Sequence, residues 1–167
     1  MKTFATACTL VALAACSKGD TGKPELAPNA PKSAGGATTS GPHLISIPAL
    51  GLKVEAPAGS KVSTLAGRQM LKGPGLGAVV QLAGSTKPGD LAAAKKEAAN
   101  LTPQNAAEEA LADGFVYTFE NKGSMGTNYW VMVRRTIGDK QIWCESTALS
   151  ADAQKAALEA CKSLRPG

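Results

Sequence analysis

The sequence predicts an α+β domain, an antiparallel sheet of about five or six strands with two helices packed on it. Three observations predict it. Short runs alternate apolar and polar side chains between glycines and prolines, as half-buried strands do. Two alanine-rich segments carry apolar residues at helical spacing. Between those two segments stand three strand-like runs in succession, which read as a meander.

The domain opens with "HLISIPALGLKVEAP". Leu52, Val54 and Ala56 point one way and Lys53 and Glu55 the other, with Pro48 and Gly51 as punctuation. "RQMLKGPGLGAVVQLAG" reads as two strands, near 68–72 and 77–83, joined by "GPGLG". That glycine-rich link is neither a dinucleotide nor a P-loop fingerprint, because no Lys-Ser/Thr follows it and the next element is a strand. "KPGDLAAAKKEAANL" reads as the first helix. Pro88 suits its start, Asp90 its cap, and Leu91, Ala94, Ala98 and Leu101 its apolar stripe. Thr102-Pro103 stops it.

The meander follows. "GFVYTFEN" puts Phe115, Tyr117 and Phe119 on one face. "NYWVMVRRTI" puts Tyr129, Val131, Val133 and Ile137 on one face and Trp130, Met132 and Arg134 on the other. "KQIWCESTAL" puts Ile142, Cys144 and Ala148 opposite Trp143, Thr147 and Leu149. Gly138 in "IGDK" suits the first central position of a type II′ turn, which fixes a register of Ile137 with Lys140, Arg134 with Trp143 and Val133 with Cys144. "SADAQKAALEACKSLRPG" closes the chain as a helix capped by Ser150, with Asp152 in its first turn and Ala157, Leu158, Cys161 and Leu164 facing inward.

Cys144 and Cys161 therefore lie on the inward faces of a strand and of the helix after it. A helix packed antiparallel on its own preceding strand brings such residues together, and we expect a Cys144–Cys161 disulfide that staples the C-terminal helix. Two buried free thiols are the alternative. No C-x-x-C spacing marks a redox pair, and two cysteines with the single distant His43 do not make a zinc site.

Chemistry-bearing patterns are sparse. His43 stands alone beside Pro42, without the context of a catalytic triad. Glu108 and Glu109 are neighbours, so their side chains diverge rather than converge on a substrate. We expect no enzyme activity, no metal and no cofactor. Residues 43–167 hold 14 Lys and Arg against 11 Asp and Glu, a net +3 of the chain's +5, and these charges do not form the basic stripe with interleaved aromatics that nucleic-acid binding uses. Two candidate binding surfaces stand out. One is the segment "ENKGSMGTNYW", residues 120–130, with Met125 near its centre and Tyr129 and Trp130 at its end. The other is the face bearing Trp130, Met132, Arg134 and Trp143, which the first helix is expected to cover.

The N-terminal part is of another kind. Lys2 precedes an uncharged run, Phe4 to Ala15, which is shorter than the ~20 residues of a spanning helix and fits the apolar core of a secretory signal. Residues 17–42 hold Pro, Gly, Ala, Ser and Thr with almost no large apolar side chain, the composition of a disordered tether with an r.m.s. span of ~25–30 Å. The chain thus divides into a signal peptide, 1–15, a tether, 16–42, and one domain, 43–167.

Leu13-Ala14-Ala15-Cys16 resembles the bacterial lipobox. The resemblance implies that Cys16 becomes the first residue of the mature protein, with diacylglycerol on its sulfur, and that Cys8 is discarded. It also implies an exported protein held at a membrane by lipid, in a compartment where disulfides form. By the sorting rule of enterobacterial lipoproteins, Ser17 after that cysteine implies the outer membrane. The order of elements, beginning with "LGLKVEAPAGSKV", resembles the PsbP-like α/β/α sandwich found in small bacterial lipoproteins, with Ser60 where that family has an aromatic residue. The function expected on these grounds is a non-catalytic envelope lipoprotein that binds an envelope protein or a cell-wall component. The alternative is a binder of a small ligand, or of anionic head groups or polysaccharide, through a weakly basic surface or pocket.

Overall fold

A computed structural model of the protein describes residues 41–124 and 126–167. The signal peptide, Cys16, Ser17, most of the expected tether and Met125 lie outside the described residues. The chain runs β1 (His43–Ile47), β2 (Leu52–Ala56), β3 (Lys61–Leu65), β4 (Arg68–Gly73), β5 (Leu76–Leu82), α1 (Leu91–Ala99), β6 (Gln104–Leu111), β7 (Gly114–Gly123), β8 (Gly126–Ile137), β9 (Lys140–Ala148), α2 (Ala151–Ser163) and β10 (Arg165–Pro166). The strands form two antiparallel sheets, one of three strands in the order β1-β2-β10 and one of seven in the order β3-β4-β5-β9-β8-β7-β6. The expected single sheet of five or six strands is corrected by this count.

The added strands have a common physical reason. β3 is an edge strand without one fully buried residue, and β6, the other edge, is exposed along all but its last residue. Neither carries the buried alternation that betrays a strand, and the Ala and Glu of β6 favour helix by propensity. Pairing with β4 and β7 makes them strands.

The register of the last hairpin is the one its turn dictates. Ile137 pairs with Lys140, Arg134 with Trp143 and Val133 with Cys144. Gly138 takes the positive φ of 63° and Asp139 does not, as a II′ turn requires. Asp90 and Ser150 cap the helices, accepting from the amides of Ala93 and Ala153 at 2.8 and 3.3 Å.

Strand alternation gives the large sheet two buried faces. Leu71, Ala78, Val80, Val131, Val133, Ile142 and Cys144 pack with α2 and with Leu52, Val54 and Ala56 of the small sheet. Phe115, Tyr117, Phe119, Met132 and Trp143 pack with Ala94 and Ala98 of α1. The helices therefore sit on opposite faces of the seven-stranded sheet. The Cys144–Cys161 disulfide joins α2 to β9, with both residues buried. Edge strand β6 is tied to both helical layers: Glu108 takes Lys95 of α1 at 2.5 Å, and Glu109 takes Lys162 of α2 at 2.6 Å. The two carboxylates diverge, as neighbours on a strand must.

Ser60 is buried, and its hydroxyl finds no partner among the described residues. It stands against Gly73, where an added Cβ would come within 1.9 Å of its Oγ, so this corner holds two small residues and has no room for a ring.

Arg135 fastens the end of α2. Its guanidinium meets both Asp113 oxygens through Nε and Nη2 at 2.7–3.1 Å, and Nη1 donates to the carbonyls of Lys162 and Leu164 at 2.5 and 2.8 Å. Arg135→Ala leaves Asp113 without its counter-charge and two terminal carbonyls without a donor. We predict a loss of about 2 kcal/mol, read as a lower denaturant midpoint, with only part restored by Arg135→Lys, whose single ammonium does not make the bidentate contact.

Candidate functional site

Two openings lie on the α1 side of the large sheet. α1 is nine residues long, and its apolar stripe rests on β7, β8 and β9. No residue of β3, β4 or β5 belongs to the cluster beneath it. One row of paired residues crosses this face from β7 to β3: Tyr117, Met132, Glu145, Val79, Met70 and Ser63. Tyr117 and Met132 are buried, Glu145, Val79 and Met70 are partly exposed, and Ser63 is exposed. The row thus passes from helix-covered core to open sheet.

A recess of about 240 Å³ lies where the cover ends, lined by Trp130, Met132, Glu145, Thr147 and Val79 among others. Its polar walls are fixed. Lys87 Nζ donates to both Glu145 oxygens at 2.9 and 2.7 Å, Trp143 Nε1 donates to the same carboxylate at 2.7 Å, and the Lys87 ammonium stands 5.4 Å from the Trp143 ring. The Trp130 indole stacks on Phe119 at 5.6 Å with 5° between the planes, and its Nε1 donates to Asn121 Oδ1 at 2.8 Å. Asn121 also accepts from Asn128, at 3.2 Å. An aromatic wall, a hydrogen-bonded carboxylate and the exposed Thr147 hydroxyl offer stacking and hydrogen bonds.

A second opening, about 660 Å³, lies at the other end of α1, between Gly89–Leu91, the Ala112–Gly114 turn, Phe115 and Arg134. Arg134 Nη1 donates to the Pro88 carbonyl at 2.8 Å, and Asp113 is turned to Arg135. The cleft presents the Arg134 guanidinium, the capping Asp90 and the Thr136 hydroxyl, which accepts from Gln141.

Of the residues singled out from the sequence, Trp130, Arg134 and Trp143 share this face, and only Trp143 is fully buried, at 0 % exposure in the core beneath α1. Arg134 is partly exposed at the large cleft and Trp130 at the recess. Tyr129, next to Trp130 on the same strand, points to the opposite face. Cys16 and Met125 lie outside the described residues. His43 is exposed at the start of β1. Among the described residues no three His, Cys, Asp or Glu side chains converge as metal ligands, and no helix is long and apolar enough to cross a membrane. The Lys95 pKa is raised by its hydrogen bond with Glu108 and by that residue's charge.

Sequence reasoning did not find Lys87, Glu145 and Thr147. Lys87 and Glu145 are 58 positions apart, and nothing in their local sequence announces the pair. Comparison of the chain with protein-family models and with curated proteins finds no match.

Proposed function

We propose that this chain is a non-catalytic lipoprotein of the cell envelope. Residues 1–15 export it, lipid on Cys16 holds it at a membrane, residues 16–42 form a leash, and residues 43–167 bind an envelope protein or a wall component. Ser17 favours the outer membrane. The observation that carries the reading is Leu13-Ala14-Ala15-Cys16 ahead of a leash-like composition. The recess beside Trp130 supports the binding part, because its aromatic and polar walls are pre-set and its one carboxylate is already held by three hydrogen bonds. We read the architecture as a PsbP-like α/β/α sandwich, which the placement of α1 and α2 on opposite faces of one antiparallel sheet supports. A fold of this kind hosts many functions and assigns none.

A photo-crosslinking side chain in place of Thr147, at the rim of the recess, tests the binding part in intact cells. We expect one discrete adduct there and none from the same group in place of Lys155 on the exposed side of α2. Equal, diffuse labelling from both positions, or no adduct from either, would contradict it.

A further inference from the structure

The β3–β5 part of the large sheet is a wing with a charge of one sign. Residues 56–89 contain Lys61, Arg68, Lys72 and Lys87 and not one Asp or Glu. Lys87 is held by Glu145, whereas Lys61, Arg68 and Lys72 are exposed and have no ion pair among the described residues. Register places the three free cations on one face. Lys61 pairs with Lys72, which pairs in turn with Gly77; Ser63 pairs with Met70, which pairs in turn with Val79; and Leu65 pairs with Arg68. Every one of these residues is at least partly exposed. On the reverse face Gln69, Leu71, Ala78 and Val80 are buried. The open face is thus the α1-side face of the wing, beyond the reach of α1.

Two like charges directly opposite on neighbouring strands repel. Lys61 and Lys72 stand in that relation, with no carboxylate to relieve them. Next to the cations the surface is apolar where water would favour polar groups. Leu65, at the β3–β4 turn, is 65 % exposed. Met70 and Val79 lie partly open between the cations.

The route of the chain supplies the remaining argument. It enters the domain at β1, and β1 lies against β3, the edge of the wing. The residues from Cys16 to Pro42 reach at most about 90 Å when fully extended. Lipid on Cys16 would therefore keep the whole domain, the wing included, within reach of the bilayer that carries it. We infer that the β3–β5 wing docks on the anionic head groups of that bilayer, with Lys61, Arg68 and Lys72 on lipid phosphates and Leu65 at the acyl boundary. The inference rests on the lipoprotein reading for the identity of the membrane. The face itself is tested without lipid.

The test uses the unlipidated chain from Ser17 onward and vesicles of phosphatidylcholine, alone or mixed with phosphatidylglycerol, at low ionic strength. The protein is expected to sediment with the mixed vesicles, to leave the zwitterionic ones, and to detach as salt rises. Replacing Lys61, Arg68 and Lys72 together by Gln is expected to lower the partition coefficient on the order of 100-fold, at about one energy increment of a surface cation per residue. Replacing Lys96, Lys122 and Lys155 by Gln removes the same charge from other elements and should leave binding near wild type. Equal losses in both triple variants would show a net-charge effect and overturn the assignment of the face. Absence of vesicle binding, or retention on soluble polygalacturonate with none on vesicles, would overturn the membrane as occupant. None of these outcomes depends on whether Cys16 is acylated, which cell fractionation reads separately.

Discussion

Cys16→Ser is expected to abolish the membrane-bound species of mature size. The thioether that carries diacylglycerol forms only on a thiol, and lipoprotein cleavage follows lipidation, so the variant should appear as the longer precursor or as soluble material. The expected effect is large because of chain arithmetic. Each buried CH2 contributes about 0.8 kcal/mol, one acyl chain gives marginal, reversible binding, and two or more hold a protein stably. Any residual association of the variant should come from Lys61, Arg68 and Lys72 and should wash off in salt, whereas the wild-type protein should stay. Fractionation with size determination reads both. Membrane partition at unchanged size would remove the basis of the functional reading.

Loss of the Cys144–Cys161 bond should have the largest effect on the domain itself. The two positions are 17 apart, and on the chain-entropy model a loop of that length contributes about 3 kcal/mol. That is a substantial part of the 5–15 kcal/mol or so by which small domains are stable. The bond also locates α2. Cys144 lies in the centre of the large sheet, between Val80 of β5 and Val133 of β8, and Cys161 is in the last turn of the helix. Without it α2 is held by Ala157, Ala160 and Leu164 in the core, by Ser163 bonded to Glu55, and by Arg135 at its terminal carbonyls. The protein with both cysteines changed to Ala should remain folded and melt lower by on the order of 10 °C. Melting curves of the wild-type protein with and without reductant, compared with those of the double variant, measure it. An unchanged midpoint would mean that the closed loop adds nothing to stability.

How much of this was legible in the sequence depends on burial. Where one face of a strand is buried, alternation can be read directly. Phe115, Tyr117 and Phe119 against Val116, and Met132 and Trp143 against Val133 and Cys144, divide between the two faces as their spacing demands. The β8–β9 register was legible because Gly138 permits one turn type. The helix starts were legible because Asp90 and Ser150 cap the backbone from fixed positions. Edge strands gave no such signal. β3 and β6 bury almost nothing, and only their neighbours make them strands. The third strand of the small sheet was hidden for a different reason: beside the local pairing with Ser46, Lys53 of β2 pairs with Arg165, 112 positions further on.

The candidate site divides along the same line. That Trp130, Arg134 and Trp143 share a face follows from a period of two. Which of them is exposed follows from the length and place of α1, a tertiary fact. The short helix buries Trp143 and leaves Trp130 and Arg134 at its two ends. The Lys87–Glu145 pair is long-range and invisible to local pattern. The basic wing is the opposite case. Its acid-free run, residues 56–89, is written in the sequence, but its meaning needed the register that sets Lys61 and Lys72 opposite each other and the helix that stops short of them.

The most direct measurement is the intact mass of the protein extracted from membranes, before and after reduction. The account predicts the mass of residues 16–167 increased by diacylglycerol, usually with a further acyl chain, and a gain of two hydrogens when the disulfide opens. A mass that includes residues 1–15, or an unmodified Cys16, would contradict it.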